Sequence, residues 1–281
     1  MIEMYKLYQI KVKLSKFKTI DYTGKLVKAI LIQANDKMEE VFESEKYPSP
    51  KPIRITPIYK DNQPIYSKVI VKKFGKDKKP DFSPKEIEIN GEYTFYVGIK
   101  QELYIELQKT LTKLMSGIDF DYGSYRVSAK ITAFEEKEPT INENFHTLKI
   151  KFNSPSIFRD PFTRIASIER KTTEKRFLPF PPFIFSVNVY EINREIYKRN
   201  IIRLAYSLVE SHNNLNTVMK VWYYYDGDWL PGIIGYAKFY LKKDLPPFVI
   251  KNLIQIFKHA QIMGVGTGRA AGFGFAEIET I

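Results

Sequence analysis

Eleven residues near the end of the chain, Gly264-Val265-Gly266-Thr267-Gly268-Arg269-Ala270-Ala271-Gly272-Phe273-Gly274, hold five of its 14 glycines. Glycine concentrates where backbone must take φ > 0 or approach another group closely. Successive N–H groups in such a loop can cradle an anion, and Arg269 at its centre adds a planar fork suited to phosphate. Dinucleotide and nucleotide loops follow a strand and open a helix. Here a helical pattern precedes the glycines and a strand pattern follows, so that chemistry is excluded.

A second candidate group lies near the other end. Lys25 and Lys28 are three residues apart, hence on one face of a helix, among Leu26, Val27, Ala29, Ile30, Leu31 and Ile32. Lys25 in the first turn opposes the helix macrodipole, a conflict that a phosphate above that helix end removes. The three histidines read as surface or cap residues. His146 opens a strand, His212 sits in a last helical turn, and His259 shares a polar face with Lys251, Gln255 and Lys258. His259 stands out because it lies five residues before the glycine loop. Between Pro155 and Phe185 runs a basic insertion with Arg159, Arg164, Arg170, Lys171, Lys175 and Arg176. Arg170, Lys175 and Arg176 are its candidate RNA contacts; a solvated loop is the competing reading.

The whole composition agrees with an anionic partner. Lys and Arg number 44 against 32 Asp and Glu, a net charge of +12, which points to nucleic acid before an anionic membrane. A Lys- and Glu-rich thermophile surface gives the same excess. Aromatic residues make up 15% and offer platforms for unpaired bases. The absence of cysteine excludes disulfides, thiolate metal sites and a cysteine nucleophile. No uninterrupted apolar run reaches membrane-spanning length and no signal-peptide pattern opens the chain. The expectation is a cytoplasmic protein with no membrane partner.

The elements that would position these residues follow from periodicity. Met4–Leu14 alternates as a strand, Thr23 caps a helix over 25–32, and strand-like runs cover Pro52–Tyr59, Ile65–Phe74 and Tyr93–Ile99. Leu103, Leu107, Leu111 and Leu114 mark a second helix, and Tyr125–Phe134 another strand. The order β-α-β-β-α-β is ferredoxin-like. Residues 135–140 read as a charged linker, after which the order repeats. Strands at Thr147–Phe152, Val218–Tyr225, Ile233–Leu241 and Phe273–Ile281 accompany helices at Glu191–Glu210 and Pro247–Ala260. The expected class is α+β, with tandem ferredoxin-like (RRM-like) domains at 1–137 and 138–281.

The pattern Gly264-Val265-Gly266, five residues including Arg269, then Gly272-Phe273-Gly274 resembles the C-terminal glycine-rich loop of the RAMP proteins. These are CRISPR-associated RNA-binding proteins of two ferredoxin-like domains. LKIKFNSP (148–155) is similar to the first strand of their second domain. Within this superfamily the length and loop position look most like the endoribonuclease that matures CRISPR RNA, in an archaeal-type member without the usual catalytic histidine. That resemblance implies metal-independent cleavage of CRISPR repeat RNA by the 2′-hydroxyl, leaving a 2′,3′-cyclic phosphate and a 5′-hydroxyl, with no cofactor. Lys28 falls six residues after Tyr22, where many members place a catalytic tyrosine, and Lys51 where they place a catalytic lysine. The histidine position falls nearest Glu43 or Tyr47. The implied catalytic residues are Lys28, Lys51 and Lys25, and the implied RNA contacts are Arg269, Gly264, Gly266, Gly268, Gly272 and Gly274. About one unperturbed lysine in 2,500 is neutral at pH 7, so lysines there would act as cations rather than bases. The alternative is a non-catalytic RAMP scaffold that only holds CRISPR RNA. A third is a general RNA binder, from the RNP1-like 234–240 segment. A homodimer and a seat in a CRISPR effector complex both remain open.

Overall fold

The computed structural model describes residues 4–69, 85–166, 175–211 and 217–281. Its first half is built on β1 (Tyr5–Thr19), whose alternation puts Tyr8, Ile10, Val12 and Leu14 in the core. A register shift after Leu14 returns Phe17 to the same core. Helices α1 (Thr23–Ala34) and α2 (Asp36–Glu43) follow, then short strands β2 (Ile53–Ile55), β3 (Tyr59–Lys60), β4 (Gln63–Pro64) and β5 (Lys68–Val69). Strand β6 (Ile87–Lys100), helix α3 (Tyr104–Ser116) and strands β7 (Ile118–Tyr122) and β8 (Tyr125–Lys137) complete it. The sheet runs β7-β8-β1-β6, with β2 and the β3–β4 hairpin on the far edge of β6. Helix α2 and strand β7 are additions to the expected order. Thr23 does not cap α1: the N-cap is Tyr22, and the Thr23 hydroxyl instead donates to the Ile65 carbonyl and accepts from Ile58 N–H. Strand β8 continues through Glu135-Glu136-Lys137, so half of the expected linker is strand, with Lys6 paired to Glu136 at 2.9 Å.

The second half repeats the plan. It comprises β9 (Thr147–Ser156), β10 (Phe158–Arg159), α4 (Phe162–Ile165), β11 (Lys175–Arg176), α5 (Pro181–Ile192), α6 (Tyr197–Ser207) and β12 (Leu208–Glu210). It continues with β13 (Val218–Tyr225), β14 (Asp228–Leu241), α7 (Pro247–Met263) and β15 (Ala276–Thr280). The sheet order is β15-β9-β14-β13, with β12 also on β14. Each half therefore places its first strand beside its third and fourth, the expected tandem ferredoxin-like architecture. The single helix expected over 191–210 is in fact α5, α6 and β12. The break is at Asn193, whose side chain accepts the N–H groups of Glu195 and Ile196 at 3.1 and 3.4 Å, an Asx turn that competes with helical bonding. Part of the basic insertion also folds, as the β10–β11 hairpin and the first turn of α5, where Pro181-Pro182 suits the helix start. The last strand begins three residues later than expected. Arg170, Lys171, His212 and residues 70–74 of the 65–74 run lie outside the described residues. Among the described residues no helix is long and apolar enough to cross a membrane.

The halves share a seam. Strand β5 pairs with β13 of the second sheet, and Tyr22 N–H donates to the Tyr224 carbonyl at 2.8 Å. The Tyr22 ring lies 4.9–5.2 Å from those of Tyr66, Tyr223 and Phe273. Its hydroxyl donates to the Gly272 carbonyl at 2.6 Å. Gly24 sits so close that a Cβ there would stand 2.4 Å from the Ala271 oxygen. Tyr22→Phe strands a buried carbonyl and should cost about 1–3 kcal/mol in urea unfolding. Gly24→Ala should cost more, although alanine is the better helix former by roughly 1 kcal/mol. A stabilising Gly24→Ala would show that the seam is not packed as described.

Candidate functional site

Helix α7 ends at Gly264, and residues 264–274 return the chain to β15. All five glycines have φ between 66° and 95°. Packing forbids a side chain as well, most sharply at two positions. A Cβ at Gly274 would lie 1.9 Å from the Val265 oxygen, and one at Gly266 would lie 2.3 Å from the Ile157 oxygen. Most of the loop's donors are consumed internally. Val265 bonds Gly274, Gly266 bonds Ile184 in α5, Thr267 bonds Ile157, and Gly274 bonds Pro155, at 2.7–3.2 Å. The expected anion nest is therefore not the whole loop. Only the amides of Gly268, Arg269 and Ala270 make no bond to an acceptor among the described residues.

Arg269 departs most from expectation. Rather than projecting as an open fork, its side chain is 4% exposed and pairs with Glu191 of α5, itself 3% exposed, at 2.5 Å. His259 is equally displaced from the surface: it is fully buried, edge-on to Tyr5 at 4.5 Å. On the face it shares with Lys251, Gln255 and Lys258, the first is exposed and the other two are half-buried, while Tyr5 of the first domain packs over the histidine. Asn188 Nδ2 donates to His259 Nδ1 at 3.0 Å and to the Gly264 carbonyl at 2.8 Å. That bond leaves the histidine proton on Nε2, 3.8 Å from Glu191. Burial, with Arg269 and Lys100 nearby, pushes the His259 pKa well below its ordinary value. Burial and Glu191 push the Tyr5 hydroxyl up to about 12. Arg54 on β2 is also fully buried, its guanidinium 4.6 Å from the Phe275 ring, and burial lowers it to about 9.

Beside the loop opens a cavity of about 290 Å³, lined by residues 49–51 and Ile53, by Arg159, Asp160, Pro161 and Thr163, by the α5–α6 residues Ser186, Val187, Tyr190 and Tyr197, and by Gly266–Ala270. Lys51 is on its wall and donates to the Ser44 carbonyl at 2.8 Å, at the C-terminal end of α2, where the macrodipole favours a cation. Lys28 reaches the same helix end, ion-paired with Glu43 and 5.7 Å from the Phe42 ring. Two of the three lysines thus converge. Lys25 turns away, to Asp21 at 3.5 Å and Asp226 at 3.1 Å. Burial lowers its pKa, but the two carboxylates outweigh that and the net shift is upward. They also relieve the dipole conflict, so no phosphate is required there. Arg159 lines the cavity and Lys175 is exposed, whereas Arg176 binds Asp160 at 2.7 Å. The sequence reading missed Glu191, Asn188 and Arg54. The helical spacing of Asn188 and Glu191 on a face otherwise apolar was the available signal.

Two consequences of the buried cluster can be measured. Removing one partner of a buried ion pair typically costs about 3–5 kcal/mol, so Glu191→Gln should destabilise the chain by that order in urea. Because the folded His259 pKa lies below its unfolded value, the unfolded chain binds the extra proton. Stability should hold above about pH 6.5 and fall as the pH drops below it. His259→Gln should flatten that part of the pH profile. An unchanged slope would place the titration elsewhere.

Comparison with known proteins bears on the same architecture. The family described as "Cas6 N-terminal domain" matches residues 21–135, and that described as "CRISPR-associated endoribonuclease Cas6" matches residues 150–276. No curated protein sequence matches the chain. Among solved structures, a Cas6 (TTHB231) product complex from Thermus thermophilus superposes with a TM-score of 0.63 at 14% identity, over 97% of this chain and 98% of that one. A Cas6 (TTHA0078) product complex gives 0.57 at 13%, over 98% and 100%. A Cas6-related protein of Pyrococcus furiosus gives 0.53 at 11%, over 97% and 98%. At these identities the structures share a fold, and the family matches add the lineage: in both of its domains, the chain belongs to the Cas6 family of CRISPR-associated endoribonucleases.

Proposed function

We propose that the chain cleaves CRISPR repeat RNA without metal, by attack of the 2′-hydroxyl on the adjacent phosphate. The products would be RNA ending in a 2′,3′-cyclic phosphate and mature CRISPR RNA beginning with a 5′-hydroxyl. The observation that carries this reading is the place of Lys51, on the wall of the cavity bounded by the glycine loop, with Lys28 at the same end of α2. In-line attack builds charge on the phosphorane oxygens and on the departing 5′-oxygen. Lys51 and Lys28 as ammonium groups would stabilise that charge, and one would protonate the leaving oxygen. Entry of a phosphate would draw Lys28 from Glu43 and Lys51 from the Ser44 carbonyl, exchanging weak partners for a dianionic transition state. Glu43, once released from Lys28, would be the carboxylate to accept the 2′-proton. Holding the attacking oxygen in line supplies the rest of the acceleration. Lys25, committed to Asp21 and Asp226, contributes to binding rather than to chemistry. Arg269 acts through the backbone, by fixing the loop.

The scaffold reading has one observation in its favour: both lysines already hold internal partners, and neither described histidine lines the cavity. Cleavage of repeat RNA in EDTA decides between the two. Lys51→Ala and Lys28→Ala should each lower single-turnover cleavage by about 10²–10³, with RNA affinity changing far less, and Lys25→Ala should be milder. A 2′-deoxy nucleotide at the cut should bind and resist cleavage. Normal cutting of that substrate would refute internal attack. An Arg159→Ala variant should bind RNA more weakly and show a shallower salt dependence by somewhat under one unit of log–log slope.

A further inference from the structure

The cavity beside the glycine loop is more than a place for a phosphate. Its volume of about 290 Å³ lies at the lower end of the roughly 300–1,000 Å³ range for small-ligand clefts. That is room for one nucleoside and too little for a base pair. Its lining combines two chemistries: Tyr190, Tyr197, Val187 and Pro161 are apolar or aromatic, while Lys51 and Arg159 are cationic. The acid among them, Asp160, is neutralised by Arg176 through bonds of 2.7 and 3.2 Å, so it does not repel a phosphodiester.

The polar lining is prepared in advance. Thr163, Ser186 and Thr267 donate their hydroxyl protons to the carbonyls of Asp160, Phe183 and Ile157, at 3.1–3.3 Å. Each oxygen keeps lone pairs for a hydrogen-bonding edge. Tyr190 is half-buried and held in place, its ring 6.1 Å from Tyr197 with the Arg194 guanidinium 4.4 Å from its centroid. An aromatic ring and cations lining the same cavity are what proteins use to hold an extruded base together with its phosphate.

Resting on the endoribonuclease reading, we infer that this cavity receives one unpaired nucleotide of the RNA. Its base packs on Tyr190, and its phosphate lies at Lys51 and Arg159. Because Lys51 belongs to both this cavity and the proposed reacting centre, the seated nucleotide is a neighbour of the cut. The substrate must then be single-stranded, or opened, at that position.

The test uses the full chain and synthetic CRISPR repeat RNA of the source organism, with a single abasic nucleotide placed in turn at each position around the cut. Affinity and single-turnover cleavage are measured with the wild type, Tyr190→Leu and Tyr190→Phe. One abasic position next to the cut should weaken binding about 5- to 150-fold in the wild type, the range for one stacked base. The same loss should appear in Tyr190→Phe, which keeps the ring. In Tyr190→Leu the intact RNA should already bind weakly and the abasic change should add little. Equal abasic losses in all three proteins at every position, with cleavage intact, would overturn the pocket and leave the nuclease standing. Coupling between Tyr190 and one base, with no cleavage in any protein, would sustain the pocket and refute the nuclease.

Discussion

Two ionised groups with almost no solvent contact, Arg269 and Glu191, hold each other in place, and the glycine loop is shaped around that pair. A buried guanidinium without a counter-charge is costly, and a buried carboxylate equally so. Together they fix the side chain of the loop's central residue to α5. The loop backbone is tethered further, to α5 through Ile184, to the β9–β10 junction through Ile157 and Pro155, and to the first domain through Tyr22. Together the tethers reach three separate parts of the fold. The three amides left without acceptors, those of Gly268, Arg269 and Ala270, are therefore presented by backbone that has little freedom to move.

The same constraint explains why two domains are needed for one site. The cavity takes Lys51 and Ile53 from the first domain and Arg159, Tyr190 and the loop from the second. Their relative placement depends on the seam, where Tyr22, Tyr66, Tyr223 and Phe273 interlock and β5 extends the partner sheet. Gly24 and Gly272 let the two backbones meet there. Tyr22, six residues before the position where the resemblance puts a catalytic tyrosine, is fully buried, its hydroxyl spent on the Gly272 carbonyl. It aligns the site without touching it.

What could be read from the sequence divides along this line. Periodicity located the long central strands of both sheets, because alternation against a one-sided core is a local signal. The glycine loop announced itself because five positive-φ positions leave no substitute for glycine. Burial of a polar side chain by a distant element leaves no local trace. His259 shares helical spacing with three solvent-facing neighbours, yet Tyr5, 254 positions earlier in the chain, covers it. Arg269 looked like a phosphate fork because its carboxylate partner belongs to a different helix, in a stretch read as one long helix from Glu191 onward. The Asn193 turn that splits that helix is what allows α5 and α6 to take separate directions and bring Tyr190 and Tyr197 to one cavity.

The electrostatics of the cavity then follow from which charges are already matched. Arg269, Arg176 and Lys25 are bound to carboxylates and add little field. Lys51 rests on a helix-end carbonyl, a dipole rather than a charge, so most of its positive potential remains directed into the cavity. Lys28 is intermediate, since the Glu43 it holds is largely exposed, and solvent screening makes such a pair weak. On the proposed reading, a phosphodiester entering the cavity would meet Lys51, held by a carbonyl, with Lys28 outside the lining at the same helix end, held by a partner it could displace. Cations arranged this way would attract the ground-state monoanion modestly and the dianionic phosphorane more strongly, if the second lysine is recruited as charge develops. That difference, rather than tight binding as such, is what accelerates a reaction.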